Sequence, residues 1–294
     1  MSAATRAARS RGGGVRGPLL ALALLALAAA VGPLLAPGDP VAIGDVLAVR
    51  LVPPLGRAPD GTLHLLGTDR FGRDLLARTL VAARLSLLVG VLGSALSGAI
   101  GAALGAWAGW RGGATDAALM ALADALLAVP RIVLLLVVAA LWGPGVGTTV
   151  AVLAATGWMG VARLVRAEVL GVRRRDFVDA ARALGAGEGR LLVRHVLPNA
   201  LGAALVATSL GVGNAILLES GLSFLGLGIQ PPAPSWGNLI AGGRELIVTA
   251  PWVALVPGLA LVATVLACTR LGDALRDRLA GVASPAAEPS GDGR

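Results

Sequence analysis

Six apolar runs, each about long enough to cross a bilayer, constrain this chain more than any other feature. They lie near residues 18–36, 85–110, 117–141, 148–164, 200–218 and 252–271. A helix needs about 20 apolar residues to span the hydrocarbon core, where every backbone polar group must be satisfied within the structure itself. The runs predict an all-α, polytopic membrane protein with six transmembrane helices. Only 14% of the 294 residues are charged, against about 25% in a soluble domain.

Arginine sets the expected orientation. All 25 basic residues are arginine and none is lysine. With the N-terminus in the cytoplasm, the inside segments hold 17 arginines and the outside segments hold 6. Basic residues accumulate on the cytoplasmic side, so both termini are expected there. The layout is a cytoplasmic tail (1–17), a first anchor (18–36), an external segment (37–80), a five-helix core (81–272) and a cytoplasmic tail (273–294) disordered at its end. The first run follows four arginines and reads as an uncleaved anchor, although the same pattern fits a secretory signal peptide.

The composition also excludes chemistry. A phosphate-binding Walker loop needs Gly-Lys-Ser/Thr, so a chain without lysine has none, and any ATP would be hydrolysed by another chain. The glycines at 185–189 and 226–228 lack that lysine and the strand–helix context of a nucleotide loop. The arginines are spread over loops rather than gathered in one patch, which argues against nucleic acid. A lone cysteine, Cys268, rules out an internal disulfide and reads as a small buried residue. His64 and His195 are far apart in sequence, without ligand-spaced partners for a metal. No catalytic set appears.

Within the spans, Gly93, Ser97, Gly101, Gly105 and Gly109 recur every fourth residue. Such a stripe lets another helix backbone approach closely, within the chain or on a partner. Arg131 falls inside the third run, where an arginine costs about 2.5–3.5 kcal/mol on insertion scales. It reads either as structural or as part of a translocation path. Asp124, two turns earlier, stands on a similar face and suits an ion pair with it. Asn214 and Glu219, in and at the outer end of the fifth span, are further path candidates. Pro257-Gly258 predicts a kink in the last span. Thr68 or Asp69 suits a helix cap before the second span, and Ser235 a cap in the 219–250 loop. Asp69, Arg70, Arg73 and Asp74 read as a solvated, mixed-charge face.

The most specific motif lies between two spans, in residues 179–199, DAARALGAGEGRLLVRHVLPN. Residues 167–184 read as a helix, Gly185-Ala186-Gly187 as a turn, and 188–196 as a short helix ended by Pro198. Arg182, Arg190 and Arg194 suit an acidic or carbonyl-rich surface, and an amphipathic loop on anionic lipid is the other reading. The segment resembles the "EAA" coupling loop of ABC importer permeases: Glu-Ala-Ala, three residues, Gly, nine residues, Ile-x-Leu-Pro. Here Asp179-Ala180-Ala181, Gly185 and Leu197-Pro198 stand at matching spacing. Asp179 replaces the glutamate, and His195 stands at the isoleucine position, with Val196 beside it to take the apolar contact.

Two more segments resemble the dipeptide, oligopeptide and nickel permeases of the DppC/OppC type: HLLGTDRFGRDLLAR at 64–78 and ESGLSFLGLGIQPPAPSWGN at 219–238. The resemblance covers about residues 60–282. It implies a MetI-like type I permease fold in a bacterial inner membrane, and a partnership with a second homologous permease, two ATP-binding subunits and an external substrate-binding protein. It implies no cofactor on this chain, with ATP and magnesium held by the ATPase partners. Through 167–198, with Asp179, Ala180, Ala181, Arg182, Gly185, Leu197 and Pro198, the ATPases would drive the spans. The external segments would meet the binding protein. A stand-alone secondary transporter would need intramembrane ion sites and internal repeats, and a membrane enzyme a catalytic cluster; the sequence shows no clear sign of either.

Overall fold

The computed structural model describes residues 15–35 and 46–283. Most of the N-terminal tail, positions 36–45 and the tail end 284–294 lie outside the described residues. The elements run α1 (Arg16–Leu35), a one-turn helix Val46–Val49, β1 (Gly56–Arg57), β2 (Leu63–His64), α2 (Leu75–Arg111), α3 (Gly113–Leu127), α4 (Arg131–Trp142), α5 (Val146–Arg173), α6 (Asp176–Ala183), α7 (Glu188–Leu191), a π-helical turn Leu192–Val196, α8 (Leu197–Phe224), α9 (Trp236–Gly243) and α10 (Trp252–Ala283). The two short strands pair antiparallel, Gly56 opposite His64.

Among the described residues, four helices are long and apolar enough to cross a membrane: Leu75–Arg111, Val146–Arg173, Glu188–Phe224 and Trp252–Leu279. The third run, read from sequence as one span, is instead broken. Helices α3 and α4 meet at 86°. Pro130 explains the break, because proline lacks an N–H and disfavours helical geometry in the residue before it. Counting the bent pair as one span and adding the 20-residue apolar helix α1, the arrangement accords with the six-helix expectation.

Helix α2 is the axis of the bundle, and small residues give it two close-packing faces. On one, Gly93, Gly101, Gly105 and Gly109 lie against α5. A methyl at Gly101 would sit 2.6 Å from the Trp158 carbonyl oxygen, and one at Gly105 would fall on the carbonyl of Ala162. On the same face, a methyl at Gly157 of α5 would strike Ser97. On the other face, Gly90 meets Ile216 and Gly98 meets Thr208 of α8. Between them the Ser94 hydroxyl donates to the Thr208 carbonyl at 2.7 Å. The sequence reading found the first stripe and missed the second.

Helix α1 docks where its own chemistry leaves a gap. Proline at position 33 has no N–H, so the Ala29 carbonyl loses its helical donor. The Arg84 Nε donates to that carbonyl at 2.6 Å, and its Nη2 to the Ala30 carbonyl at 2.7 Å. Along α10 the helix continues through Pro257. This proline lies in the second turn, where it removes one bond to the preceding turn. Cys268 of α10 is buried against Ala82, Ile216 and Leu261. Helix α10 also runs to Ala283, so the first part of the expected tail is helical.

Candidate functional site

The segment carrying the coupling motif forms a knuckle between α5 and α8. The helix expected over 167–184 is interrupted: α5 ends at Arg173, Arg174 leaves helical geometry, and α6 begins at Asp176. Helix α6 has Asp176 and Asp179 in its first turn and Arg182 in its last, the arrangement that complements its dipole. It stops at Gly185, whose φ of 85° is the left-handed geometry that glycine tolerates. The Gly185 N–H donates to the Arg182 carbonyl at 3.0 Å and the Ala186 N–H to the Ala181 carbonyl at 3.1 Å. Those two bonds make a Schellman stop.

The knuckle then re-enters the bundle without a break. The sequence reading ended a short helix at Pro198; instead a single helical path runs from Glu188 to Phe224. The wider π turn at Leu192–Val196 is the reason. It relaxes the backbone where the proline ring would crowd the carbonyl of the turn before.

Few side chains root the knuckle. Val178, Leu191 and Val196 are fully buried, Val178 and Val196 among Val165, Val169 and Val172 of α5. His195 is half-buried, and its neighbour Val196 takes the apolar position. Facing away are Leu184 (89% exposed), Val193 (64%) and Phe177 (42%). Asp179, Ala180, Gly185 and Pro198 are exposed, while Ala181, Arg182 and Leu197 are half-buried. Arg182 is not free for an acidic partner. It bridges Asp179 at 2.8 Å and Glu188 at 3.0 Å, joining α6 to α7.

Three arginines of α5 near this end of the bundle, Arg163, Arg166 and Arg173, are likewise engaged within the chain. Arg166 pairs with Asp116 of α3, and Arg173 donates to the Trp110 carbonyl at 2.8 Å while lying over that indole. Asp124 pairs with Arg163, not with Arg131 as the spacing predicted. The bend at Pro130 makes Arg131 the first residue of α4. Its guanidinium donates to Thr156 Oγ1 at 3.2 Å and the Leu153 carbonyl at 3.3 Å. Asn214 is exposed on α8 and Glu219 fully buried. No hydrogen bond or ion pair joins Arg131, Asn214 and Glu219, so these three path candidates do not form one cluster.

At the opposite end of the bundle, Glu219 is a hub. Its carboxylate accepts from Ser223 at 2.7 Å, Ser86 at 3.0 Å and Ser220 at 3.3 Å. Two of those hydroxyls also accept backbone N–H groups of the loop that follows, Ile229 on Ser223 at 2.9 Å and Trp236 on Ser86 at 3.3 Å. The Trp236 indole donates to the Thr79 carbonyl at 3.1 Å. One buried acid thus ties α2, α8 and α9 together. Ser220 and Ser223 beside Glu219 were a readable signal; Ser86, 133 positions away, was not. Ser235 caps α9 in a reciprocal box with Asn238, as expected.

The cap of α2 is Asp74, not Thr68 or Asp69. Its Oδ1 accepts the Ala77 N–H at 2.8 Å, and Oδ2 pairs with His64 Nδ1 at 2.8 Å. Asp69 is buried rather than solvated: it accepts the N–H groups of Phe71 and Arg73 and the Arg73 guanidinium. Thr68 ties this loop to Val49 and Val52. Among the described residues, no group of three or more His, Cys, Asp or Glu could hold a metal ion.

Comparison with known proteins agrees with this architecture. Residues 101–281 match the family described as the binding-protein-dependent transport system inner membrane component. A Brucella suis protein named as a peptide permease is 46% identical over 216 residues, covering 73% of this chain and 72% of that protein. A second Brucella suis protein, named as a peptide transport system permease, is 41% identical over 261 residues, 89% of this chain and 85% of that one. The Pseudomonas aeruginosa di/tripeptide transport system permease DppC is 40% identical over 267 residues, 90% and 87% of the two chains. The chain belongs to the family of inner membrane components of binding-protein-dependent transport systems.

Proposed function

We propose that this permease, a transport component and not an enzyme, carries short peptides inward as one of two homologous membrane subunits. Peptide transport is the activity for which the relatives are named. Two ATP-binding subunits, which hold ATP and magnesium, dock on the knuckle at 176–198. Both termini and the knuckle face the cytoplasm; the β-hairpin and the 225–251 loop face outward, toward the substrate-binding protein.

One observation carries the reading: the second half of the knuckle and α8 are one continuous helical path from Glu188 to Phe224. A push on α7, to which the Arg182–Glu188 pair ties α6, passes along that path into the bundle. Leu184, Val193 and Phe177 supply an apolar outer surface for a partner, and the turn at Gly185 sets the angle between α6 and α7. The test is ATP-driven uptake of a dipeptide or tripeptide by the complete complex in proteoliposomes, comparing wild type with Gly185→Pro. Proline cannot adopt φ near 85° or donate to Arg182. Uptake should be lost while all subunits still co-purify. Unchanged uptake would refute the coupling role.

A further inference from the structure

The outward end of the bundle holds a cation that no described acid pairs with. Asp69 is committed to Arg73, which it holds through two donors at 2.8 Å, with Arg78 Nε a further 3.5 Å away. Arg70 is exposed. It lies over the Phe71 ring, whose centroid is 4.8 Å from the guanidinium carbon. The same ring lies 4.6 Å from the Arg73 guanidinium. A guanidinium carries five donors, and none of those on Arg70 meets an acceptor among the described residues.

Arg70 also stands where two concavities meet. One, of about 400 Å³, lies between the 69–78 loop and the Pro231-Pro232 turn. The other, of about 260 Å³, lies between Arg70 and Gln230, Arg244 and Glu245. Among the described residues, Arg70, Arg73 and Arg244 line the two together with the acids Asp69 and Glu245. Asn238, on the shared wall, is spent on the Ile229 and Ala233 carbonyls. The walls are held in place: the Glu219 hub anchors the 225–243 side and the Asp69 turn the other. A surplus of arginine over acid between two braced walls, with one planar fork unpaired among the described residues, suits a carboxylate.

We infer that the cleft around Arg70 is a docking socket for an acidic side chain of the external substrate-binding protein. This rests on the orientation proposed above. The socket explains why two segments distant in sequence, 64–78 and 219–245, are built into one surface. Its chemistry is electrostatic complementarity, which sets association rate and register as well as affinity.

The test is the dissociation constant of the peptide-loaded binding protein for the complete transporter in nanodiscs, at low and at high salt. Arg70→Gln should weaken binding on the order of tenfold and flatten its salt dependence, and Arg70→Glu should weaken it further. Arg111→Gln, an exposed arginine at the opposite end of α2, is the control and should bind like wild type. A wild-type dissociation constant for Arg70→Glu would overturn the socket. So would a change in the KM for peptide with binding-protein affinity unaltered, because the carboxylate would then belong to the peptide in transit. Failure of the wild-type complex to bind its loaded binding protein would sink the proposed orientation, and the socket with it.

Discussion

The α2–α5 seam and the 176–198 knuckle are both helical, yet they are held by opposite means. In the seam, glycines bring one backbone onto another, so contact is continuous and has no slack. In the knuckle, three buried side chains and a pair of surface ion pairs fix the local shape. In the coupling role proposed above, the seam would pass displacement on because it has so little slack; close-packed interiors shift as bodies rather than flow. The knuckle can be gripped by a partner because so much of it faces outward. The difference assigns the two regions complementary mechanical characters, a rigid lever and its handle.

The seam should break first. Gly105→Leu places a side chain on the Ala162 backbone, which has no rotamer to yield. Overpacking a core costs about 1–3 kcal/mol when side chains can rearrange, and this clash falls on backbone. The expected result is loss of monodisperse permease from detergent extracts, read by fluorescence-detected size exclusion. Wild-type yield and elution would show that assembly does not depend on the close approach of α2 and α5.

An intermediate effect is expected at the Glu219 hub, at the other end of the bundle. Glu219→Ala leaves Ser86, Ser220 and Ser223 without their acceptor. A buried polar group left unsatisfied costs roughly 1–3 kcal/mol. Serines in helices recover part of that by bonding the carbonyl four residues back, so a net loss of about 2 kcal/mol is the expected scale. The thermal midpoint of the solubilised protein should fall by several degrees, and Glu219→Gln, which keeps an acceptor, should fall less. Equal midpoints for all three proteins would remove the hub from the forces that hold the outward loop.

How much of this was legible in the sequence follows from range. Apolar length gave the spans, fourfold spacing gave the Gly93–Gly109 stripe, and Gly185 gave its turn, because each is a local property. The bend at Pro130 was equally local, but hydropathy averaged over it and read one span. Arg131 was consequently placed mid-helix and paired with Asp124. Arg163 took that partner because the bend re-aims α3 and α4, a geometric fact that spacing along a straight helix does not contain. Pro198 erred in the other direction: a proline that ordinarily ends a helix was absorbed by a π turn, whose hydrogen-bond pattern no residue type announces. The Ser86–Glu219 and Arg84–Ala29 contacts join residues 133 and 55 positions apart and could be seen only once the helices were packed.

The smallest structural effect should come from the knuckle, and it separates holding from working most cleanly. Arg182→Ala removes the Glu188 ion pair that links α6 to α7, together with the Asp179 pair inside α6. The partners are well exposed, and such pairs contribute at most about 1 kcal/mol each. The thermal midpoint should therefore stay close to wild type, in contrast with the seam and hub variants. Coupled uptake should nonetheless fall severalfold, because α6 and α7 lose the brace that keeps them at one angle when an ATPase subunit grips them. High salt should reproduce part of the loss in the wild type and little in Arg182→Ala, since it screens the same exposed charges. A stable variant with unimpaired uptake would leave Gly185 and the buried valines as the whole of the brace, and would narrow the handle to its backbone.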